Sequence, residues 1–398
     1  LRRRAAADGQ ADWAVEPADL GAGEVEVLQQ ARPAGRIVAP RTQRPHVKGR
    51  RLERFGQFLV EALDDFIGRL DRRKWPIITV DGVDSKDLDD AIYAEKRGED
   101  YFLGVYIADV SHYVRPRGEL DREAYARGTS VYLVDRVLPM LPPLLSNGIC
   151  SLNAGEDRYS MTCVMEIDTH GKVVKSDIGP AVIRVKRRCN YVEIRKALLE
   201  GIVPDDLQPF MPMLHELRSL STILKNMRLR RGAIDFDFPE YKVILDPEGV
   251  PLRLEKRERT IAEQIVEESM LIANETVACY LRDSENPSVY RIHELPEPER
   301  LDMMRTVLSS FNLPMPDTES VKPADFQKLL EMTKGTDEAA VVQTIALRSM
   351  QQARYSTTNA GHFGLADAQF LGRIVHLGIQ TRRSGEIRLS RGGNTLDI

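Results

Sequence analysis

Five aspartates lie within ten consecutive residues, directly after the apolar run at 76–80, and carboxylates at this density can hold divalent cations. If four of them point inward together, each close pair repels by about 3–4 kcal/mol at ~4–5 Å and an effective dielectric of ~20. Splaying into solvent, protonation or a cation between the groups relieves this repulsion. Oxygen ligands without His or Cys favour Mg²⁺ or Mn²⁺ over zinc. The five residues are Asp81, Asp84, Asp87, Asp89 and Asp90.

Composition alone leaves open a solvated acidic loop at this place. An EF-hand is excluded by register, because the third and twelfth positions counted from Asp81 are Val83 and Ile92. Leu88 lies between the carboxylates and an apolar run follows them at 91–93, which favours a framed metal site over a polar tract. A short apolar run closing in a glycine turn predicts a buried strand that delivers the loop.

The composition is that of a globular protein without a global basic excess. The chain has 398 residues, a net charge of −4 and 29% charged residues, so any nucleic-acid binding must use local basic surfaces. Cys150, Cys163, Cys189 and Cys279 have no metal-ligand spacing and are predicted to be reduced core thiols of a cytoplasmic protein. No apolar run reaches membrane-spanning length and no signal peptide opens the chain, which begins at Leu1 as a fragment would.

Strands come early in the chain and helices later, which predicts an α+β domain. Residues 91–94 and 101–108 flank a turn and predict a hairpin that returns Asp109 to the same end of the sheet as the aspartates. The first 35 residues have weak periodicity apart from a strand-like alternation at 23–28, and a basic run follows at 36–54. Helical spacing occurs at 55–70, 192–200, 210–230, 260–283, 297–311, 323–333 and 338–353.

Several stretches together resemble the RNB (ribonuclease II / ribonuclease R) exoribonucleases, in the order and at the spacing of that family. They cover roughly 72–366, and the acidic signature and the Pro-Met-Leu-Pro run are the most specific. The stretches are 79–91 (TVDGVDSKDLDDA), 107–114 (IADVSHYV), 127–132 (RGTSVY), 139–152 (PMLPPLLSNGICSL), 231–236 (RGAIDF), 265–274 (IVEESMLIAN), 290–294 (YRIHE) and 359–366 (NAGHFGLA).

The resemblance implies an RNB catalytic domain over 71–366, with a mixed sheet surrounded by helices that form an RNA channel. Residues 1–70 would be a remnant of a cold-shock-like β-barrel with a linker, and 367–398 a divergent tail. The implied activity is hydrolytic 3′→5′ degradation of single-stranded RNA to nucleoside 5′-monophosphates. Two Mg²⁺ ions, or Mn²⁺, would activate water and stabilise the leaving oxygen. Carried over by motif, the metal-holding or water-positioning carboxylates are Asp81, Asp87, Asp89 and Asp90, with Asp84 outside this set.

Aromatic and acidic residues elsewhere are implied RNA contacts, since stacking grips bases without reading sequence. Tyr132 would pack beside the scissile nucleotide, and Tyr191 and Phe236 either clamp bases or belong to the core. Glu267 and Glu268 either orient the substrate end or cap solvated helix faces. The basic runs at 186–188 and 228–231 either line the channel or are plain surface. Hydrogen-bonding roles are expected for three histidines, His112, His293 and His362.

Two departures from the family pattern predict reduced activity. The flanking β-barrel modules of the family are poorly matched at the front and absent at the back, so affinity for long RNA should suffer. The family's Ser-Pro-x-Arg-Arg-Tyr motif, whose arginine binds phosphate, is also missing. Arg382 and Arg383 lack its neighbours and spacing, which indicates truncation or a frame change.

Three classes of function follow from these observations. The first is a Mg²⁺-dependent exoribonuclease that works as a monomer. The second is a catalytically impaired RNA-binding relic of the same fold, and the third is a structural metal-binding protein with no RNA partner. The third leaves Tyr132 and the basic runs without a purpose. Nothing in the sequence points to a protein partner.

Overall fold

The chain divides into two units, Leu1–Asp65 and Phe66–Ile398. The computed structural model describes residues 68–236, 238, 240–257, 259–284, 288–314 and 320–366, with strand backbone at 2–5, 11–14, 388–391 and 394–397. In the first unit, β1 (Arg2–Ala5) pairs antiparallel with β2 (Ala11–Ala14). Sequence periodicity does not predict this pair, because four-residue strands are too short for an alternation to stand out. The features predicted at 23–28 and 36–54, and most of the helix predicted at 55–70, lie outside the described residues.

A mixed seven-stranded sheet organises the second unit, in the order β11-β4-β5-β6-β9-β10-β3. Its outer pairs, β11 with β4 and β10 with β3, are parallel, and the pairs between them are antiparallel. The strands in chain order are β3 (Leu70–Asp71), β4 (Ile78–Asp81), β5 (Asp90–Arg97), β6 (Asp100–Ala108), β7 (Val131–Tyr132), β8 (Val137–Leu138), β9 (Asp157–Ile167), β10 (Val173–Arg184) and β11 (Arg187–Asn190).

Smaller antiparallel pairs lie outside this sheet. In addition to the β1–β2 pair, β7 pairs with β8, and three further pairs come after β11 in the chain. Those after β11 are β12 (Glu240–Leu245) with β13 (Pro251–Arg257), β14 (Tyr290–Ile292) with β15 (Arg354–Ser356), and β16 (Arg388–Arg391) with β17 (Asn394–Asp397).

The predicted strand and hairpin at the aspartates are both confirmed. Residues 78–80 of β4 are buried, and β5 and β6 form a hairpin whose two-residue turn begins at Gly98 (φ 66°). Positive φ at the first turn residue matches the twist of the flanking strands and costs glycine nothing. The hairpin register pairs Asp90 with Ile107, so β6 ends at the edge of the sheet where β5 begins.

Eight α-helices lie among the described residues. The six that come after residue 190 fall close to helical stretches that the sequence predicts, whereas those at 110–113 and 119–127 lie outside every predicted stretch. The longest, α5, has Thr260 as its N-cap and a capping box with Glu263, which satisfies first-turn amides. The helices are α1 (Val110–Tyr113), α2 (Glu119–Arg127), α3 (Tyr191–Arg195), α4 (Met211–Arg231), α5 (Ile261–Asp283), α6 (Pro298–Ser310), α7 (Pro323–Thr333) and α8 (Ala339–Ser349).

The main core lies between the sheet and the two long helices. α4 packs against β5, and α5 packs against β6, β9 and β10 as well as α4. Buried residues such as Ile265, Ile272 and Val277 line the inner side of α5, and each fully buried side chain of this size contributes about 1.5–3 kcal/mol. Mixed sheet and packed helices together confirm the predicted α+β class.

A second, smaller core is built by α6, α7 and α8. It contains Leu301, Phe326 and Val342, and it takes in Ile234 and Phe363 from the connecting segments. Gly232 ends α4 with φ +99°, and a Cβ there would meet the Cβ of Ala324 at 3.0 Å, so glycine lets α7 approach the end of α4.

The cysteines carry no disulfide. Cys150, Cys163 and Cys189 are buried free thiols, as predicted, whereas Cys279 is only half-buried on α5 and so is not a core thiol. Burial raises the pKa of the Cys189 thiol to about 11. Among the described residues, no helix is both long and apolar enough to cross a membrane.

Candidate active site

The predicted carboxylates gather at one edge of the central sheet. Asp81 ends β4 and Asp90 begins β5, and residues 82–89 between them form what we call the aspartate loop. Asp81 lies opposite Asn190 of β11, and the backbone N–H of Ala108, at the end of β6, donates to the carbonyl of Asp89 at 2.9 Å. Four neighbouring strands therefore bring polar groups to this edge, as the sequence predicts for β6.

Asp81 is held by its own loop. Its Oδ1 accepts hydrogen bonds from the backbone N–H of Gly82 at 2.6 Å and from Ser85 Oγ at 2.8 Å. The N–H of Ser85 donates to the carbonyl of Gly82 at 3.2 Å, which closes the turn. These bonds orient the Asp81 carboxylate before any ligand arrives.

Asp87 contacts the most exposed of the predicted RNA-binding aromatics. The hydroxyl of Tyr132 donates to Asp87 Oδ2 at 3.1 Å, although 67% of the tyrosine is exposed. The pKa of Tyr132 is raised, first by desolvation of its hydroxyl and then by the negative charges of Asp87, Asp89 and Asp81. Three of the four predicted carboxylates therefore act electrostatically on one phenol.

Ser151 anchors the far end of the aspartate loop, and the sequence reasoning missed it. The residue is fully buried, its Oγ accepts from the N–H of Leu88 at 3.1 Å, and it donates to the carbonyl of Lys86 at 3.1 Å. The N–H of Leu152 also donates to the carbonyl of Leu88 at 2.9 Å. The only signal in the sequence was the position of Ser151 inside the stretch 139–152.

Asp84 is paired with a lysine, and its place outside the metal-holding set stays a prediction. Its side chain is 85% exposed and forms an ion pair with Lys242 of β12 at 3.1 Å. The pair joins the aspartate loop to the β12–β13 hairpin, but so exposed a pair contributes little to stability.

The basic runs are mostly engaged with protein groups and are not plain surface. Arg187 bonds to Glu193 at 2.8 Å and to Asp206 at 2.9 Å. Arg188 donates to two backbone carbonyls of the aspartate loop. In the second run, Arg228 is buried against Glu268 and Arg231 bonds to Glu275.

Comparison with known proteins decides the family of the chain. An RNB domain matches residues 69–371, close to the 72–366 over which the sequence motifs are found. The chain belongs to the RNB family. It is 45% identical over 304 residues to Ribonuclease R of Thermotoga maritima, covering 76% of this chain and 43% of that protein.

Two further comparisons agree with this RNB assignment. The chain is 39% identical over 327 residues to Ribonuclease R of Escherichia coli, covering 81% of this chain and 40% of that protein. The solved structure of Mycoplasma genitalium RNase R in complex with ribose methylated single-stranded RNA matches with a TM-score of 0.74 at 30% identity. That match covers 78% of this chain and 48% of the Mycoplasma chain, so this RNB chain spans less than half of each of these relatives.

The remaining aromatic candidates of this RNB domain lie in two different places. Tyr191 directly follows Asn190, the strand partner of Asp81, and is half-buried against the main core. Phe236 is half-buried against the second core and stacks on Phe238, with ring centroids 5.6 Å apart. The structure therefore places Tyr132 beside Asp87 and Tyr191 next to the strand partner of Asp81, whereas Phe236 packs against the second core.

The two glutamates of α5 have different surroundings. Glu268 is only 2% exposed and forms an ion pair with Arg228 at 2.7 Å, so it does not cap a solvated face. Burial raises the pKa of Glu268, against the lowering effect of Arg228. Glu267 is more exposed and bonds to Arg259, which also reaches Asp235 at 3.2 Å.

The three histidines all form hydrogen bonds, as expected. His112 Nδ1 lies 3.3 Å from a guanidinium nitrogen of Arg69. His293 Nδ1 accepts from the N–H of Gly364 at 3.1 Å, and its Nε2 lies 2.9 Å from the carbonyl of Gln351. His362 Nδ1 accepts from the N–H of Leu365 at 3.3 Å.

The aspartates fit a hard divalent cation by the type of their ligand atoms. They offer carboxylate oxygens alone, which suit Mg²⁺ or Mn²⁺. In the part of the chain that the structure describes, no three His, Cys, Asp or Glu side chains are grouped closely enough to hold a metal as they stand. Arg382 and Arg383 lie outside the described residues.

Proposed function

We propose that this chain is the catalytic domain of a 3′→5′ exoribonuclease that hydrolyses single-stranded RNA to nucleoside 5′-monophosphates. The carrying observation is that Asp81, Asp87, Asp89 and Asp90 are all retained at one sheet edge of an RNB domain, with Tyr132 bonded to Asp87. The relatives named Ribonuclease R, and the Mycoplasma enzyme whose structure contains single-stranded RNA, support this activity and substrate.

We infer that the same four aspartates hold two Mg²⁺ ions, with Mn²⁺ as a substitute. When bound, such ions lower the pKa of a water nucleophile and stabilise the leaving oxygen of a phosphodiester. The chain's own part is to present the carboxylates. Gly82 and Ser85 orient Asp81, and Ser151 holds the backbone on both sides of Asp87.

Tyr132 supplies the contact to the base in this proposal. Its ring is mostly exposed while its hydroxyl is tied to Asp87, so a stacked base would lie next to the carboxylates. Stacking on an aromatic side chain contributes about 1–3 kcal/mol per base whatever the sequence. Tyr191, Glu267 and Phe236 are further candidates for RNA contacts, whereas Glu268 would need to leave its buried pair with Arg228.

A catalytically impaired RNA-binding relic is the second candidate. The observation in its favour is that the 398-residue sequence contains no Ser-Pro-x-Arg-Arg-Tyr motif. Loss of one preorganised group that stabilises transition-state charge costs about 2.7–4 kcal/mol, or about 10²–10³ in rate. An enzyme lacking the arginine would therefore be slow, and a relic would bind RNA without cleaving it.

Digestion of a 5′-labelled single-stranded RNA with Mg²⁺ tests the proposal, beside an Asp89→Asn control. A ladder that shortens from the 3′ end and is lost in the variant is the expected result. Binding of the same RNA in EDTA without any digestion would favour the relic. The absence of both digestion and RNA binding would contradict both candidate functions. Sedimentation velocity of the protein without RNA would test the proposal that it is a monomer.

A further inference from the structure

We propose that Arg188 is a positioning residue that holds the first half of the aspartate loop in the conformation presenting Asp81 to a divalent cation. The inference rests on the proposed function, because it assigns a role within the same site. It replaces the two alternatives open for the run at 186–188, a channel wall and a plain surface, with a defined structural task.

The guanidinium of Arg188 reaches across to the loop from the neighbouring strand. β11 runs parallel to β4, with Arg188 opposite Thr79, two residues before Asp81. From there its Nη2 donates to the carbonyl of Ser85 at 2.6 Å and to the carbonyl of Val83 at 3.1 Å. A hydrogen bond with a charged donor is shorter and stronger than a neutral one.

Ser85 transmits this contact to Asp81. The residue offers its carbonyl to Arg188 and donates its hydroxyl to Asp81 Oδ1 at 2.8 Å. Its N–H also closes the turn onto Gly82, whose own N–H bonds the same carboxylate oxygen. Release of the Ser85 carbonyl would therefore loosen two hydrogen bonds that orient the Asp81 carboxylate.

Arg188 and Ser151 anchor opposite parts of the loop. Arg188 holds the carbonyls at 83 and 85, and Ser151 holds the backbone at Lys86 and Leu88. Asp87 lies within the segment held by Ser151, directly after the segment held by Arg188. Loss of Arg188 should thus loosen the first half of the loop and leave the second half in place.

Hydrogen exchange in the protein without metal tests the contact directly, with Arg188→Ala beside Arg184→Ala. Arg184 is a matched control, because its side chain is 45% exposed and bonds to Asp157, away from the loop. In Arg188→Ala, amides at 82–85 should exchange about tenfold faster, as expected when a charge-assisted bond is lost. The Leu88 amide, bonded to Ser151, should change little, and Arg184→Ala should leave the loop unchanged. Unaltered exchange at 82–85 in Arg188→Ala would overturn the proposal.

Titration with Mn²⁺ alone, followed by the electron paramagnetic resonance of the free ion, tests the positioning of the carboxylates. Arg188→Ala should bind Mn²⁺ about tenfold more weakly than the wild type. Arg188→Lys should fall between them, because an ammonium keeps a charged donor but places it on a shorter side chain without the fixed guanidinium geometry. Faster exchange with unchanged Mn²⁺ affinity would overturn the positioning role.

The outcomes separate this proposal from its rival and from the proposed function. If Arg188 contacted RNA phosphate instead, Arg188→Ala would weaken RNA binding in EDTA while loop exchange and Mn²⁺ affinity stayed as in the wild type. A wild type that binds Mn²⁺ in an Arg188-dependent way yet digests no RNA would sustain the positioning role and contradict the nuclease. A wild type that binds no Mn²⁺ would overturn both the metal assignment and this role.

Discussion

The hydroxyl of Tyr132 donates a hydrogen bond to Asp87 Oδ2 at 3.1 Å, although the two residues lie 45 positions apart in the chain. Tyr132 belongs to the short β7–β8 pair, whereas Asp87 lies on the aspartate loop. The bond places an exposed aromatic ring beside a carboxylate of the candidate metal site. A base stacked on the ring would thereby be brought next to the groups proposed to act on its phosphodiester.

Truncation of Tyr132 should weaken RNA binding because the stacking surface is lost. In EDTA, where cleavage is prevented, Tyr132→Ala should raise the Kd for a short single-stranded RNA by about 5- to 150-fold, the equivalent of 1–3 kcal/mol. Tyr132→Phe keeps the ring and should bind nearly as well as the wild type. Fluorescence anisotropy measures both, with the 87%-exposed Tyr125→Ala as a control on α2. Equal losses for the Phe and Ala variants would assign the effect to the hydroxyl and not to stacking.

The buried pair of Arg228 and Glu268 predicts a large loss of stability when one partner is removed. Their side chains are only 4% and 2% exposed, so Glu268→Gln leaves a buried guanidinium without its counter-charge. The expected decrease in the free energy of unfolding is about 3–5 kcal/mol. Urea unfolding followed by circular dichroism measures it.

Two further variants check this interpretation of the buried pair. Glu267→Gln, on the same helix but 38% exposed, should cost no more than about 1 kcal/mol. The double variant Arg228→Met with Glu268→Leu should be more stable than Glu268→Gln, because no uncompensated charge stays buried. A loss for Glu268→Gln no greater than that for Glu267→Gln would contradict the buried-pair account.

The imidazoles of His293 and His362, which meet edge to face, predict a loss of stability in mild acid. Their ring centroids lie 5.0 Å apart, and burial, with nearby Arg291, lowers the pKa of both, that of His362 to about 4. Because the folded-state pKa lies below the ordinary 6.5, the unfolded chain binds protons first as the pH falls. The stability that the neutral rings contribute is complete above pH ~6.5 and is lost progressively toward pH ~4.

Urea unfolding at several pH values between 7.5 and 4.5 measures this loss. His362→Asn, which cannot titrate, should show a shallower decrease below pH 6.5 than the wild type. His170→Asn, an exposed residue on the β9–β10 turn, should keep the wild-type slope. A His362→Asn slope identical to that of the wild type would assign the acid sensitivity to other groups.

Local patterns in the sequence were sufficient to predict the elements around the site. The apolar run before Asp81 predicted a buried strand, the turn after Arg97 predicted the β5–β6 hairpin, and helical spacing placed α4 to α8 within a few residues. These features depend on residues close together in the chain, where side-chain period and turn chemistry act directly. Motif order likewise predicted the RNB family that the comparisons show.

Contacts between distant segments were decided only by the tertiary structure. The sequence pattern does not show that Glu268 is buried against Arg228 or that Phe236 packs against the second core. It also does not show that Ser151 and Arg188 hold the aspartate loop. A glutamate or arginine has the same local propensity whether it faces solvent or a buried partner, because its environment is set by the helix or strand packed against it. The sequence by itself thus determined the family and the aspartates proposed to hold the metal, and the packing of β4, β11 and the helices decided which groups hold the aspartate loop in place.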